Sequence, residues 1–266
     1  MRLHSAAAAA GTRLFAYETL PSTNAEALEL ARRGERGPLW ITALEQLAGR
    51  GRRGNAWASP PGNLYATLLL TDPAPSDRAP ELSFVAALAV DDAILDCAPG
   101  LRGKLALKWP NDVLCGGLKL AGILIEGEGH IAGLAVAVGI GVNCIHHPPQ
   151  TTHPATDLAA AGVKVSAESL FEALSAAMLE RVAQWNRGLG FAGIRADWMM
   201  RAAGIGGDMR VRLPGRELFG RGEALDERGR LLLRLADGSL QTIAAGDVFP
   251  VAAEPPARAK AARPVD

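Results

Sequence analysis

The chain has 266 residues, with 28 Lys+Arg against 28 Asp+Glu, so its formal net charge is zero, and 48% of it is hydrophobic. That size fits one large domain with an appendage, or two modest domains, and the hydrophobic fraction excludes wholesale disorder. The balanced charge excludes a global basic field for nucleic acid but allows a local patch.

The opening MRLHSAAAAAG is too short and too weakly apolar for a signal peptide, and no apolar run reaches about 18 uninterrupted residues. Three widely spaced cysteines, Cys97, Cys115 and Cys144, form no CxxC and point to a reducing compartment without a zinc site. A cytoplasmic protein with no membrane partner is expected.

Residues 22–33 (STNAEALELARR) predict a short helix. Thr23 and Glu26 stand at capping-box spacing, Ala27, Leu28, Leu30 and Ala31 give an apolar side, and Gly34 ends it. LWITAL (39–44) predicts a buried strand. A loop rich in glycine and arginine follows, and then NLYATLLL (63–70) as a second strand. The span from Glu81 to Asp96 predicts a helix with a broad apolar face. LALKW (105–109), KLAGILIE (119–126) and IAGLAVAVGIGVN (131–143) predict three strands. Gly116-Gly117 separates the first two after PNDVLC, and Gly127-Glu128-Gly129-His130 is expected to turn the second into the third. Helices are predicted over 168–187, with Leu170, Phe171, Leu174, Met178 and Val182 on one side, and over 192–202.

Composition shifts at Gly204-Ile205-Gly206-Gly207. Beyond it, MRVRLP, ELFGRGEALDERGRLLLRL and GSLQTIAAGDVFPV predict short strands of a small β-barrel. The expected fold class is α+β: a mixed-sheet catalytic domain with helices packed on it over 1–204, the small barrel over 205–252, and a disordered tail over 253–266.

Four stretches carry chemistry. AGRGRRGN places Arg50, Arg52 and Arg53 on a glycine-rich loop flanked by strands. Such a loop reads as a solvated turn, as a nucleic-acid patch, or as a flap over an anion, whose oxygens the planar guanidinium matches. Segments that bind nucleic acid through RG repeats are embedded in basic chains, which this one is not. KWPND (108–112) sets Asn111 and Asp112 on a turn after a strand. KLAGIL (119–124) opens an apolar strand with Lys119, and GIGVN (139–143) puts glycines in a strand, where another group can approach closely. His146, His147 and His153 share a proline-rich loop, but no Cys or carboxylate stands at ligand spacing for a metal.

Taken in order, PSTN (21–24), EQLAGRGRRGNAW (45–57), SPPGNLY (59–65), KWPND, KLAGIL and VGIGVN (138–143) closely resemble the biotin protein ligases, also called biotin–[acetyl-CoA-carboxylase] ligases. The resemblance is specific from about residue 15 to 145 and looser to about 250, where such enzymes carry an SH3-like barrel. It implies an enzyme that condenses biotin with ATP and Mg²⁺, releases pyrophosphate, and passes the biotinyl group to one lysine of the biotin carboxyl carrier domain of a carboxylase. The reaction needs no protein nucleophile, which agrees with the lack of a Ser/His/Asp or Cys/His set. Related readings are a lipoate-type ligase with the same chemistry and, from another class, a nucleic-acid module using the Gly/Arg loop.

The resemblance also implies roles. Ser22, Thr23 and Asn24 match the segment that binds the ureido ring of biotin. Gln46, Arg50, Gly51 and Arg52 match the loop that contacts biotin and the adenylate, with Arg52 closing over the acyl phosphate and Arg53 assisting. Trp57 matches a tryptophan on the nucleotide side. Lys119 matches the lysine on the biotin carboxylate and phosphate. Asn111 and Asp112 match a pair beside the adenylate, where Asp112 would hold Mg²⁺ or orient the incoming amine. Leu47 and Asn55 depart from the pattern, and Pro60-Pro61 is expected to stiffen the loop's exit. The loop's charges are expected to lack partners in the protein, and the C-terminal domain to supply no adenylation motif. Some relatives carry an N-terminal winged helix that binds operator DNA. The roughly 20 residues before Ser22 are too few for one, so a ligase without repressor activity is expected. Some relatives also pair through the main sheet, which makes a homodimer a further expectation.

Overall fold

A computed structural model describes residues 1–130, 133–149 and 154–250. Among them, seven strands form one mixed sheet: β1 (Arg13–Leu20), β2 (Leu39–Gln46), β3 (Leu64–Thr71), β4 (Leu105–Lys108), β5 (Asp112–Cys115), β6 (Leu118–His130) and β7 (Gly133–Val142). Their order across the sheet is β1-β2-β3-β7-β6-β5-β4, with β1 parallel to β2 and every other pair antiparallel. The expected α+β class with a small C-terminal β domain is what the chain adopts.

Side-chain alternation along a strand divides the sheet into two faces. Trp40, Leu64, Ala66, Leu68, Leu70, Val136, Val138 and Ile140 point to one core. That core is covered by helices α3 (Leu82–Cys97), α4 (Ala167–Trp185) and α5 (Phe191–Met199). Leu39, Ile41, Ala43, Leu69, Ala135 and Ala137 point the other way, onto Ala27, Leu28 and Leu30 of α2 (Thr23–Arg32). A short helix α1 (Ser5–Ala9) precedes β1.

The second face does not stay apolar. In the next rows Gly139 pairs with Thr67 on one side and Leu124 on the other, and Gly141 with Tyr65 and Gly122. A row of small residues at the centre of a sheet leaves a floor on which other groups can lie. The N-terminus of α2 points at it.

The sequence-based elements need four corrections. Helix α2 is capped by Ser22, whose Oγ accepts from Ala25 N at 3.5 Å, while the Glu26 carboxylate accepts from Tyr17 OH at 3.1 Å instead of closing a box with Thr23. Strand β1, with its mixed burial at the sheet edge, is not among the predicted elements. PNDVLC is not only a turn, since its last four residues form β5. Gly127 to His130 lie inside β6 rather than turning out of it.

After α5, Leu107 N donates to Arg201 O and Ala203 N to Leu107 O, so the connector runs alongside β4. Five further strands, β8 (Asp208–Leu213), β9 (Arg216–Leu225), β10 (Leu231–Leu235), β11 (Leu240–Ile243) and β12 (Asp247–Pro250), make an antiparallel sheet in the order β11-β10-β9-β8-β12. Trp109 Nε1, just after β4, donates to Gly229 O at 2.9 Å, and Arg195 Nη1 of α5 to Leu225 O at 3.1 Å, so this sheet packs against α5 and the end of β4. The tail over 253–266 lies outside the described residues.

Candidate active site

A cavity of about 440 Å³ opens over the glycine floor, and every residue named above for the site lines it except Arg53. Its walls come from the start of α2, the end of β2, the Gly/Arg loop, the 111–112 corner and β6.

At the α2 end the polar groups interlock. Thr23 donates to Gln46 Oε1 from both N (2.9 Å) and Oγ1 (3.1 Å), and Gln46 Nε2 donates to Ser59 Oγ (2.9 Å). Thr67 Oγ1, fully buried, lies 2.8 Å from Thr23 Oγ1 and 2.7 Å from Asn24 Oδ1. Asn24 Nδ2 donates to Leu124 O and to Glu126 Oε2. Asn24 sits directly on Gly139, where any Cβ would fall 2.2 Å from its Oδ1. Its amide is thus committed to the protein, and its place in the site is to hold the floor.

Trp57 covers the next row. A Cβ on Gly141 would meet its indole Nε1 at 2.6 Å, and one on Gly122 would meet its Cζ3 at 3.0 Å. The indole therefore lies on the floor itself, with Lys119 Nζ 5.4 Å from its ring centre, close enough for a cation–π attraction. Trp57 Nε1 is buried and makes no hydrogen bond.

Lys119 reaches this face through a β-bulge. Leu114 pairs with Lys119 while Val113 pairs with Ala121, so Leu120 is an extra residue that shifts the alternation. In a regular strand Lys119 and Gly122, three residues apart, would face opposite ways; across the bulge the ammonium lies over Gly122. Lys119 Nζ is 2.6 Å from Asp112 Oδ1, and Lys108 Nζ is 2.9 Å from Asp112 Oδ2. Asp112 is almost wholly buried. Burial raises its carboxyl pKa, but Lys119 and then Lys108 outweigh that and hold it below the usual carboxylate range. The expected turn position of Asp112 is therefore corrected: it opens β5 and is an ion-pair centre. With both carboxylate oxygens on ammonium groups, it does not fit a protein-held Mg²⁺, and no cluster of three His, Cys, Asp or Glu able to hold a metal occurs among the described residues. His147 Nδ1 instead lies 2.6 Å from Asp157 Oδ2, and His153 falls outside the described residues.

The Gly/Arg loop closes on itself. Trp57 N donates to Gly49 O, Gly51 N to Asn55 O and Asn55 N to Arg52 O, with Arg53 at φ 57° and Gly54 at φ 75° in the turn. Gly49 is obligatory, because a Cβ there would fall 2.5 Å from both Ser59 Oγ and Trp57 O. Tyr65 OH donates to Pro60 O at 2.7 Å and ties the loop's exit to β3.

The loop's charges are not unpartnered, contrary to expectation. Arg50 Nη2 reaches Glu126 Oε2 at 3.0 Å, and Arg52 Nη1 reaches Asn111 Oδ1 at 3.2 Å and Gly246 O at 3.4 Å. Arg53, which does not line the cavity, reaches Asp247 Oδ2 at 2.9 Å. Burial depresses the Arg52 pKa while Asp247 opposes the shift. Asn111 is itself pinned, donating from Nδ2 to Ile123 O at 2.7 Å. Gly246 and Asp247 belong to the C-terminal sheet region, and Asp247 and Arg212 also line the cavity. That second sheet, expected to supply no adenylation motif, contributes part of the cavity wall.

Thr67, Ser59, Glu126, Lys108, Arg212 and Asp247 were given no role from the sequence, although Lys108 opens KWPND, Ser59 opens SPPGNLY, and Glu126 is an acid closing the apolar run KLAGILI.

The fold and this pocket define a cofactor-attaching ligase: the chain belongs to the biotin/lipoate A/B protein ligase family, whose profile matches residues 16–143, and the biotin protein ligase C-terminal domain matches residues 205–249. Within that family it stands with the biotin enzymes. It is 45% identical over 236 residues to the biotin–[acetyl-CoA-carboxylase] ligase of Paracoccus denitrificans, covering 86% of this chain and 96% of that one. It is 31% identical to the bifunctional ligase/repressor BirA of Bacillus subtilis, covering 86% of this chain and 71% of that one. The biotin protein ligase of Aquifex aeolicus, solved in complex with biotin and ATP, shares the fold with a TM-score of 0.74 at 23% identity, over 89% of this chain and 97% of that chain. No helix among the described residues is long and apolar enough to cross a membrane.

Proposed function

We propose that this chain activates biotin with ATP as biotinyl-5′-AMP and passes the biotinyl group to a lysine of the carrier domain of a biotin-dependent carboxylase. One observation carries the reading: Lys119, fixed by Asp112, shares a single cavity with a glycine floor, Trp57 and the guanidinium of Arg52.

The neutral, hydrogen-bonded end around Ser22, Thr23 and Gln46 suits a uncharged ureido group. Lys119, halfway along, suits the carboxylate at the other end of the same molecule. In the first step a biotin carboxylate oxygen bonds to the α-phosphorus of ATP, and the bond to the bridging oxygen breaks to release pyrophosphate. Negative charge gathers on the phosphoryl oxygens, where Lys119 and Arg52 stabilise it. Mg²⁺ enters with the triphosphate as part of the substrate, since Asp112 is already occupied by two ammonium groups. In the second step the carrier's lysine amine bonds to the acyl carbon, AMP leaves, and the amine loses a proton. Residues 205–250 act as a separate structural unit that completes the nucleotide end through Arg212, Gly246 and Asp247, with the division near Gly204.

The test is pyrophosphate release followed by mass measurement of a purified carrier domain. Biotin-dependent release with a mass gain of one biotinyl group supports the reading. Release with lipoate instead would move the chain to the other branch of its family.

A further inference from the structure

Among the described residues Glu126, on β6, is the one carboxylate that touches both the floor of the cavity and the loop above it. Its Oε2 accepts from Asn24 Nδ2 at 2.8 Å and from Arg50 Nη2 at 3.0 Å. Asn24 is 3% exposed and its Oδ1 is already engaged by Thr67. Glu126 shares its face of β6 with Gly122 and Leu124, so two registers of the sheet place it one row beyond the floor.

We propose that Glu126 is a positioning residue for the ligase reaction: it fixes the direction of the Asn24 amide and anchors Arg50, so that the biotin end of the cavity and the loop are set by one group. The inference rests on the biotin-activating reading above. A neutral amide cannot flip without cost when its nitrogen faces a carboxylate and its oxygen a hydroxyl. A guanidinium paired with a carboxylate also makes a stronger contact than one paired with a neutral acceptor. Because the Arg50 and Glu126 side chains are 45% and 28% exposed, their pairing adds little to the stability of the fold. Loss of Glu126 is therefore felt in loop placement and biotin affinity rather than in folding.

The variants are Glu126→Gln and Glu126→Ala, with Glu128→Gln as control, since Glu128 pairs with Arg32 away from the loop. Trypsin cleavage within Arg50–Arg53, measured on the full chain without substrates, should rise about fivefold or more in both Glu126 variants and stay at the parental rate in the control. In biotin-dependent pyrophosphate release, KM for biotin should rise about tenfold. The turnover at saturating biotin and KM for ATP should change less than about twofold, and the thermal midpoint should hold. Parental cleavage and parental biotin KM in Glu126→Gln would overturn the proposal. So would a common loss of midpoint, turnover and both KM values, which marks a merely structural part. If the parent itself shows no biotin-dependent release, the functional reading fails and the proposal fails with it. An active parent with an indifferent Glu126→Gln sinks the proposal alone.

Discussion

Lys119 Nζ stands 2.6 Å from Asp112 Oδ1, and this contact makes the lysine of the cavity part of a buried three-charge cluster with Lys108. Lys119 is therefore structural as well as chemical.

Asp112→Asn removes the carboxylate that bridges the Lys108 and Lys119 ammonium groups. Removing one partner from a buried ionic cluster costs about 3–5 kcal/mol, so denaturant unfolding should show a loss of that order at neutral pH. The sign of the pH effect follows from the lowered carboxyl pKa. The folded state binds fewer protons than the unfolded one, so the stabilisation is complete above the ordinary carboxylate value of about 4. It fades as pH falls from there through the depressed folded value. The gap between parent and Asp112→Asn should narrow on acidification, and a constant gap would falsify the charge assignment.

Lys119→Ala should abolish pyrophosphate release, because the ammonium is needed while the anhydride forms. It should also lower the thermal midpoint, since Asp112 keeps only one of its two ammonium partners. A variant with parental stability and no activity would show that the Lys119–Asp112 contact holds nothing in the fold.

Arg52→Gly removes a charge-assisted contact from the activated intermediate, worth about 1.5–3 kcal/mol. Biotinyl-AMP should form more slowly and escape sooner. Escaped intermediate acylates amines freely, so the variant should biotinylate bystander proteins that the parent ignores, read by streptavidin blot. A variant as selective and as fast as the parent would return the loop to the status of a solvated turn.

Gly141→Ala tests the seat of Trp57. The new methyl would fall 2.6 Å from indole Nε1 and 2.7 Å from Cε2, so the ring has to lift off the floor. Biotin affinity should drop sharply in the parental background. In a Trp57→Ala background the same change should cost far less, giving a clear non-additivity in the double-mutant cycle. Additive effects would mean that the indole does not rest where it is described.

Asp247→Ala removes the partner of Arg53, 194 residues away along the chain, and a part of the cavity wall that the proposed reading gives to the nucleotide. KM for ATP should rise while biotin binding, measured by calorimetry without nucleotide, stays unchanged. Equal changes in both would place Asp247 outside the nucleotide end.

Much of this was legible because glycines and prolines mark backbone requirements directly. Gly49, Gly139 and Gly141 each sit where a Cβ would collide, and the GRG and GIG patterns exposed them. The long apolar runs gave β2, β3, β6, β7 and the helices. Strand β1 was missed because RLFAYETL, at an edge, alternates poorly. β5 was hidden behind Pro110 and Asn111, whose turn chemistry dominates a four-residue strand. The bulge at Leu120 leaves no trace in KLAGIL, because alternation in an apolar run has no polar face to register a slip. The partners of the arginines could not be read at all: Glu126, Gly246 and Asp247 are brought to the loop only by tertiary folding.

The reach from Arg53 to Asp247 also has a bearing on synthesis. Chains are made from the N-terminus, and Ser22, Thr23, Gln46 and Lys119, the groups that the proposed reading gives to biotin, all precede the end of β7. Gly246 and Asp247 are among the last of the described residues to leave the ribosome. On the proposed reading, a chain cut short before Gly246 therefore lacks the wall expected to retain a reactive anhydride. The order of synthesis puts the hazardous half of the chemistry last.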